Sequence, residues 1–361
     1  MKIGIVLHPY AESEPGGLAR SIYEWTAGLL RNDHENKYTI FLKNEPTASL
    51  NLPGSFDIRV LGGGRFWLDK LKVHPESDVY ILQTPVLPLS FKLKKSIVII
   101  QDFPYKYLDS KTNREVLRNI LISYYHKHSL KKADALIAVS ESTKKDVINL
   151  FGIPASKITT IHMGFKNICE VPEEKIKLPE KFFFYAGVIK ERKNIISIIK
   201  ALQEFKQKSP EFPHRLVLAG KFGANYSGEI KKYIKEKGVE SYVEFIGYLK
   251  DGELSYAYKR AEALVFPSII EGFGFPVLEA MACGTPVITS NIFGPSEIGK
   301  NAALLVNPIN STDIAEAMTK IVTDKTLREN LVKAGIARSK TFSWDKTAKK
   351  TLEFISFVHN A

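Results

Sequence analysis

Short apolar runs alternate with longer stretches of helical spacing along almost the whole chain. In the second half the runs lie at residues 182–186, 216–219, 243–246, 263–266, 286–289 and 303–306. They are almost continuously apolar, as a strand buried on both faces is. The stretches between them repeat apolar residues every third or fourth position, as a helix with one covered face does. Strand and helix in alternation predict a parallel, doubly wound sheet. The first half opens likewise, with a strand at Lys2–Leu7, a turn at Glu14-Pro15-Gly16-Gly17 and helical spacing from Leu18 to Arg31. Further runs at 79–82, 97–100, 135–139 and 158–161 predict a second sheet of the same kind, and Ser140 is placed to cap a helix starting near Glu141.

Between the halves, residues 169–180 (CEVPEEKIKLPE) are polar, proline-bearing and aperiodic, which predicts a hinge. The expected organisation is a first domain over 1–168, a linker over 169–180, a second domain over 181–343 and a final helix over 344–361. Composition fits two globular domains: 361 residues, 44% hydrophobic and 25% charged. No apolar run is long enough for a membrane span, and no apolar core follows basic residues at the start, so neither span nor signal peptide is expected. Cys169 and Cys283 give no disulfide framework and no metal-ligand spacing, so a reduced, cytoplasmic protein is expected.

The stretch from Pro267 to Asn291, PSIIEGFGFPVLEAMACGTPVITSN, carries the most specific chemistry. It reads as a strand (Ala263–Phe266), a glycine turn through Gly272 and Gly274, and a helix over about Val277–Cys283 with Pro276 at its start and Gly284 after its end. Backbone N–H groups at such a helix start favour an anion such as a diphosphate. Glu271 before the helix and Glu279 in its first turn can both accept hydrogen bonds from a vicinal diol. Taken singly, Glu271 reads better as an exposed loop acid and Glu279 as a helix-start acid complementing the dipole; only the joint pattern favours a site. Upstream, the run ending at Gly187 leads into Lys190-Glu191-Arg192-Lys193-Asn194, which opens an amphipathic helix to about Lys208. Arg192 offers a planar fork and Lys193 a mobile charge for phosphate oxygens. A solvated basic helix start is the alternative.

With these residues the chain resembles the retaining glycosyltransferases of family four, whose signature is two glutamates separated by seven residues, here Glu271 and Glu279. The resemblance implies a GT-B fold: two Rossmann-like doubly wound domains facing a central cleft, with a C-terminal helix crossing back to the N-domain and closure over the donor. It implies that Glu271 contacts the donor hexose, Glu279 the ribose, and the Gly272-Phe273-Gly274-Phe275 backbone the hexose and phosphates. Gly187, Arg192 and Lys193 then face the diphosphate, Gly17 lines the cleft beside Gly16, and Tyr248 after the 243–246 run is a candidate base contact. Val188 stands where many relatives have arginine, so one phosphate contact is either missing or supplied by Lys190. Gln101 stands where histidine is usual, and it cannot titrate. Asp102 is an acceptor or sugar contact, or else it orders the Phe103-Pro104 turn. His8 and His162 are further candidates.

The resemblance also implies catalysis by position and electrostatics, a donor phosphate oxygen taking the acceptor proton, with Arg192, Lys193, Glu271 and Asp102 as the catalytic set. There is no Asp-x-Asp sequence, so no metal and no cofactor are expected. The motif texture resembles bacterial mannosyltransferases of surface polysaccharide synthesis. GDP-mannose is therefore the favoured donor, with a UDP-hexose as the other possibility, and a glycan or lipid-linked saccharide the acceptor. A sugar-nucleotide epimerase or hydrolase of the same fold, or a non-catalytic nucleotide-sugar-binding partner subunit, are the competing readings.

Net charge is +12, split evenly between residues 1–170 and the rest. One segment concentrates it: Lys106, Lys111, Arg114, Arg118, Lys127, Lys131 and Lys132 lie among Tyr105, Tyr107, Tyr124 and Tyr125. That suits peripheral contact with an anionic membrane at its inner face, or equally a solvated helix with its aromatics in the core. No helix-turn-helix, zinc or RNA-binding signature occurs, so nucleic acid is not an expected partner.

Overall fold

The computed structural model describes residues 1–8, 17–46, 50–64, 66–223 and 226–361. It divides into two compact units, one of residues 1–164 with 342–361 and one of residues 165–341. The first unit is built from β1 (Lys2–Val6), α1 (Gly17–Asn32), β2 (Lys37–Leu42), β3 (Phe56–Val60), β4 (Val79–Leu82), β5 (Ser96–Ile100), α2 (Asn113–Lys132), β6 (Ala135–Ala138), α3 (Glu141–Phe151) and β7 (Ile158–Thr160). Its sheet has the order β3-β2-β1-β4-β5-β6-β7, parallel throughout. The central strands are buried along their whole length, which is why they read as unbroken apolar runs. β3 gave no such signal because it is an edge strand whose side chains are mostly exposed. Ser140 caps α3 by accepting from Thr143 N at 3.1 Å.

The second unit continues with β8 (Phe182–Ala186), α4 (Ile195–Lys208), β9 (Arg215–Ala219), α5 (Tyr226–Lys237), β10 (Val243–Gly247), α6 (Asp251–Arg260), β11 (Ala263–Phe266), α7 (Phe275–Ala282), β12 (Val287–Ser290), α8 (Phe293–Gly299), β13 (Leu304–Val306), α9 (Ser311–Thr323) and α10 (Lys325–Ser339). Its parallel sheet runs β10-β9-β8-β11-β12-β13. The chain winds outward from β8 to one edge, returns beside β8 as β11, and winds to the other edge. Between β8 and β11 the connecting loops therefore diverge, and the carboxyl ends of these two strands leave a crevice where doubly wound sheets bind ligands.

A last helix, α11 (Trp344–Asn360), belongs to the first unit. It packs along α1, where Trp25 Nε1 donates to Thr351 Oγ1 at 3.1 Å, and Thr347 Oγ1 donates to the His162 carbonyl at 2.8 Å. A Cβ on Gly164 would overlap the Trp344 backbone, so only glycine permits this approach.

Residues 169–180 make contacts within the second unit, where Glu173 accepts from Lys259 at 3.0 Å and from Arg260 at 2.7 Å, and Glu174 N donates to the Gly252 carbonyl at 3.2 Å. One expectation is overturned here. The cysteines are not a reduced pair: Cys169 and Cys283 are joined in a disulfide, their Cα atoms 5.3 Å apart. They are 114 positions apart in the chain, and spacing carried no hint of this proximity. Among the described residues, no helix is long and apolar enough to cross a membrane.

Candidate functional site

The loops that follow β8 and β11 meet at the switch point of the second sheet. β8 is followed by Gly187, whose φ of 141° is open only to glycine and turns the chain away from the sheet. Glu191–Lys193 then form a single 3-10 turn, and Asn194, left-handed at φ 62°, separates it from α4. The basic residues are thus not the opening of the amphipathic helix, which begins one residue after Asn194. The reason is the Asn194 side chain, which donates to the carbonyls of Pro267 at 3.1 Å and Pro308 at 2.5 Å instead of continuing the helix. These bonds hold the turn against the loop after β11, as does Ile269 N donating to the Arg192 carbonyl at 2.8 Å.

Asn194→Ala is expected to cost about 1–3 kcal/mol through two lost buried hydrogen bonds and a strained φ. Asn194→Gly should recover the part due to φ. Denaturant melts of both variants check this, and an alanine variant as stable as the parent would remove the turn-holding role.

The turn brings Arg192 and Lys193 onto Glu271. Arg192 donates to Glu271 Oε1 at 2.6 Å and to the Ile270 carbonyl at 2.9 Å, while Lys193 Nζ pairs with the same Oε1. Lys193 also lies over the face of Phe266, 4.7 Å from the ring centroid. The Lys193 and Glu271 side chains are only 10% and 11% exposed, so this is a nearly dry ion cluster. Burial pushes the Glu271 carboxyl up, but Lys193 and then Arg192 outweigh it and hold the group below the ordinary carboxylate range. Behind the cluster, Tyr185 stacks on Phe266, and burial together with the Glu271 charge keeps its phenol protonated.

Past Glu271 the chain makes the glycine turn. Gly272, Phe273 and Gly274 are buried, and Gly294 N donates to the Glu271 carbonyl at 3.0 Å. Gly274, at φ 119°, precedes α7, with Phe275 and Pro276 as the first helical residues. Because α7 starts two residues earlier than the sequence suggests, Glu279 lies in its second turn rather than its first. It is buried and accepts from the Tyr258 hydroxyl at 3.2 Å. Tyr258, fully buried with its ring edge-on to Phe184, is a site neighbour that the sequence did not single out. Gly284, with φ 70°, follows the helix. Tyr248, after β10, is exposed, with Lys221 Nζ 5.5 Å from its ring centroid. Val188 uses its carbonyl to accept from Tyr185 at 3.2 Å.

The remaining candidates belong to the first unit. Gly17 opens α1 and has space around it, while Gly16 lies outside the described residues. Gln101 donates to Ser21 Oγ at 2.7 Å and its carbonyl accepts from Thr143 at 2.8 Å, so it is fixed between α1 and α3. Asp102 is half-buried beside Asp146. Burial first, then the Asp102 charge, raise the Asp146 carboxyl against the lowering effect of the Tyr107 hydroxyl that donates to it. Asp146 was not singled out from sequence, because only the packing of α3 beside the end of β5 brings it to Asp102. His8 packs edge-on to Trp67 and His162 edge-on to Phe342. Among the described residues, no group of three or more His, Cys, Asp or Glu side chains is arranged to hold a metal.

Residues 15–166 match the family described as Glycosyltransferase Family 4, and residues 170–338 match Glycosyl transferases group 1. The chain is 28% identical over 283 residues to O-antigen chain mannosyltransferase B of Escherichia coli, a match covering 76% of this chain and 73% of that one. It is 31% identical over 264 residues to the serotype-specific mannosyltransferase WbdA of Escherichia coli, covering 69% of this chain but only 31% of WbdA. Among solved structures, sucrose-phosphate synthase from Thermosynechococcus elongatus superposes with a TM-score of 0.78 over 99% of this chain and 98% of that one, at 20% identity. Anabaena HepE in complex with UDP and glucose does so with a TM-score of 0.74 over 99% of both chains, at 17% identity. At these identities the likeness of the structures is a likeness of fold.

Proposed function

The chain belongs to the GT-B glycosyltransferases, as a hexosyltransferase resembling bacterial mannosyltransferases, and we propose that it is a retaining enzyme that moves mannose from GDP-mannose to a glycan or lipid-linked acceptor without a metal. The observation that carries the reading is the convergence of Arg192, Lys193 and Glu271 on the crevice between β8 and β11. Two cations held in a nearly dry site can neutralise a leaving diphosphate, and a low-dielectric site makes each charge count for more. They replace the metal that other glycosyltransferases use. Glu271, whose carboxylate is held by the same cations, receives the hexose hydroxyls, and the buried Glu279 receives the ribose. Gly187 and the Gly272-Phe273-Gly274-Phe275 backbone line the sugar and phosphates, and Tyr248 lies against the base. A UDP-hexose is the competing donor, consistent with the UDP and glucose bound by HepE.

Retention follows if a donor phosphate oxygen takes the acceptor proton on the face the diphosphate leaves. Glu271 is engaged by both cations, which makes its carboxylate a poor nucleophile and favours this route. The test is a titration of GDP-, UDP- and ADP-sugars without added metal, followed by NMR of the product anomer. Glu279→Ala is expected to weaken donor binding by about ten- to a hundredfold, the value of charge-assisted hydrogen bonds worth about 1.5–3 kcal/mol. Unchanged donor affinity removes Glu279 from the site, and an inverted product anomer removes the retaining mechanism.

A further inference from the structure

We propose that the exposed face of α2 is a docking surface for an anionic phospholipid bilayer. The proposal rests on the lipid-linked acceptor suggested above and adds the surface by which the chain would reach it.

Although α2 is 20 residues long, only Ser129 and Leu130 are buried. Val116, Leu117, Ile120, Leu121 and Tyr124 are 44%, 60%, 60%, 50% and 70% exposed. Their spacing places all five on one side of the helix, within an arc that a flat surface can cover. Beside them lies an open groove of about 460 Å³ lined by Val86, Leu117, Leu121, Ile122 and Tyr125. A contiguous apolar patch of this kind marks an interaction site.

Charge selects the occupant. Arg114 and Arg118 lie along one border of the patch and Lys127 and Lys131 at its C-terminal end, all exposed. The one acid of the helix, Glu115, faces away from the patch and accepts from Lys111 N at 2.8 Å. A second copy of the chain docking here about a twofold axis would oppose cations to cations. Nucleic acid would meet the cations and leave the aliphatics wet. A bilayer with anionic headgroups meets both, because apolar side chains enter the acyl boundary while Arg and Lys stay at headgroup level. Of the tyrosines in this segment, Tyr105 packs against the core and Tyr124 stands in the patch.

Co-flotation of the full chain with phosphatidylcholine vesicles, with and without phosphatidylglycerol, tests the proposal and needs no donor or acceptor. Binding is expected only with phosphatidylglycerol and should weaken as salt rises. Leu117→Ser/Leu121→Ser is expected to lower partitioning by about tenfold or more, and Arg114→Gln/Arg118→Gln by about fivefold per charge removed. Melting temperature and donor affinity in solution should stay as in the parent for both variants, which separates failure of the surface from failure of the transferase reading. Absence of vesicle binding at low salt overturns the proposal. So does binding that neither variant changes, or self-association in sedimentation that the serine variant abolishes.

Discussion

Lys193→Ala is expected to lower kcat/KM for sugar transfer by about a hundred- to a thousandfold, the range for deleting one preorganised charge at a developing anion. Lys193 is the most enclosed of the site cations, held between Glu271 and the Phe266 face, so its charge is poorly screened. The charge it answers grows as the sugar leaves the diphosphate. The loss should therefore fall mainly on kcat, with donor affinity reduced less. Lys193→Arg keeps the charge but puts a planar fork where an ammonium fits over a ring, and should restore only part of the rate. Steady-state kinetics and a donor titration on both variants make the measurement. If kcat stays near the parent value while KM rises, Lys193 only binds the donor and the electrostatic argument fails.

Glu271→Ala is expected to destabilise the ligand-free protein by about 3–5 kcal/mol, because it leaves the buried Lys193 beside the partly buried Arg192 without their shared anion. Glu271→Gln keeps the shape and isolates the charge. The pH dependence has a defined sign. Since the folded carboxyl lies below its ordinary value, its contribution is complete above the unfolded pKa of about 4.3 and is lost as pH falls through the folded value. Melting curves should show a constant gap between parent and Glu271→Gln from neutral pH down to about 5, closing below about 4. A gap that widens on acidification would mean that the carboxyl is raised, not lowered, by its surroundings.

Much of this architecture is written in the apolar runs. Strands such as Phe182–Ala186 and Ala263–Phe266 are buried on both faces, so their composition alone announces them. β3 is silent because an exposed edge strand needs no apolar side chains. The glutamate pair and the Arg192-Lys193 pair are visible because glycine, proline and charge sit at fixed offsets. Their mutual engagement is not visible, because it depends on the Asn194 side chain reaching carbonyls at Pro267 and Pro308, far along the chain. Tyr258 beneath Glu279 and Asp146 beside Asp102 are hidden for the same reason, being neighbours through packing rather than through sequence. The α2 patch was half legible: its cations stand out in any count, but exposure of Val116, Leu117, Ile120 and Leu121 cannot be read from apolar residues that elsewhere fill cores.

The return of α11 to the first unit has a consequence for biosynthesis. During translation the second unit, residues 165–341, is contiguous and can complete itself as it emerges from the ribosome. The first unit cannot, although it is made first. The Trp25 and Thr351 side chains that bond within it are 326 residues apart, and the α1 face stays uncovered until residues 342–361 have been synthesised. A nascent chain of this protein therefore carries an apolar helix surface through most of its synthesis, and that surface is where a holdase would be expected to bind until release.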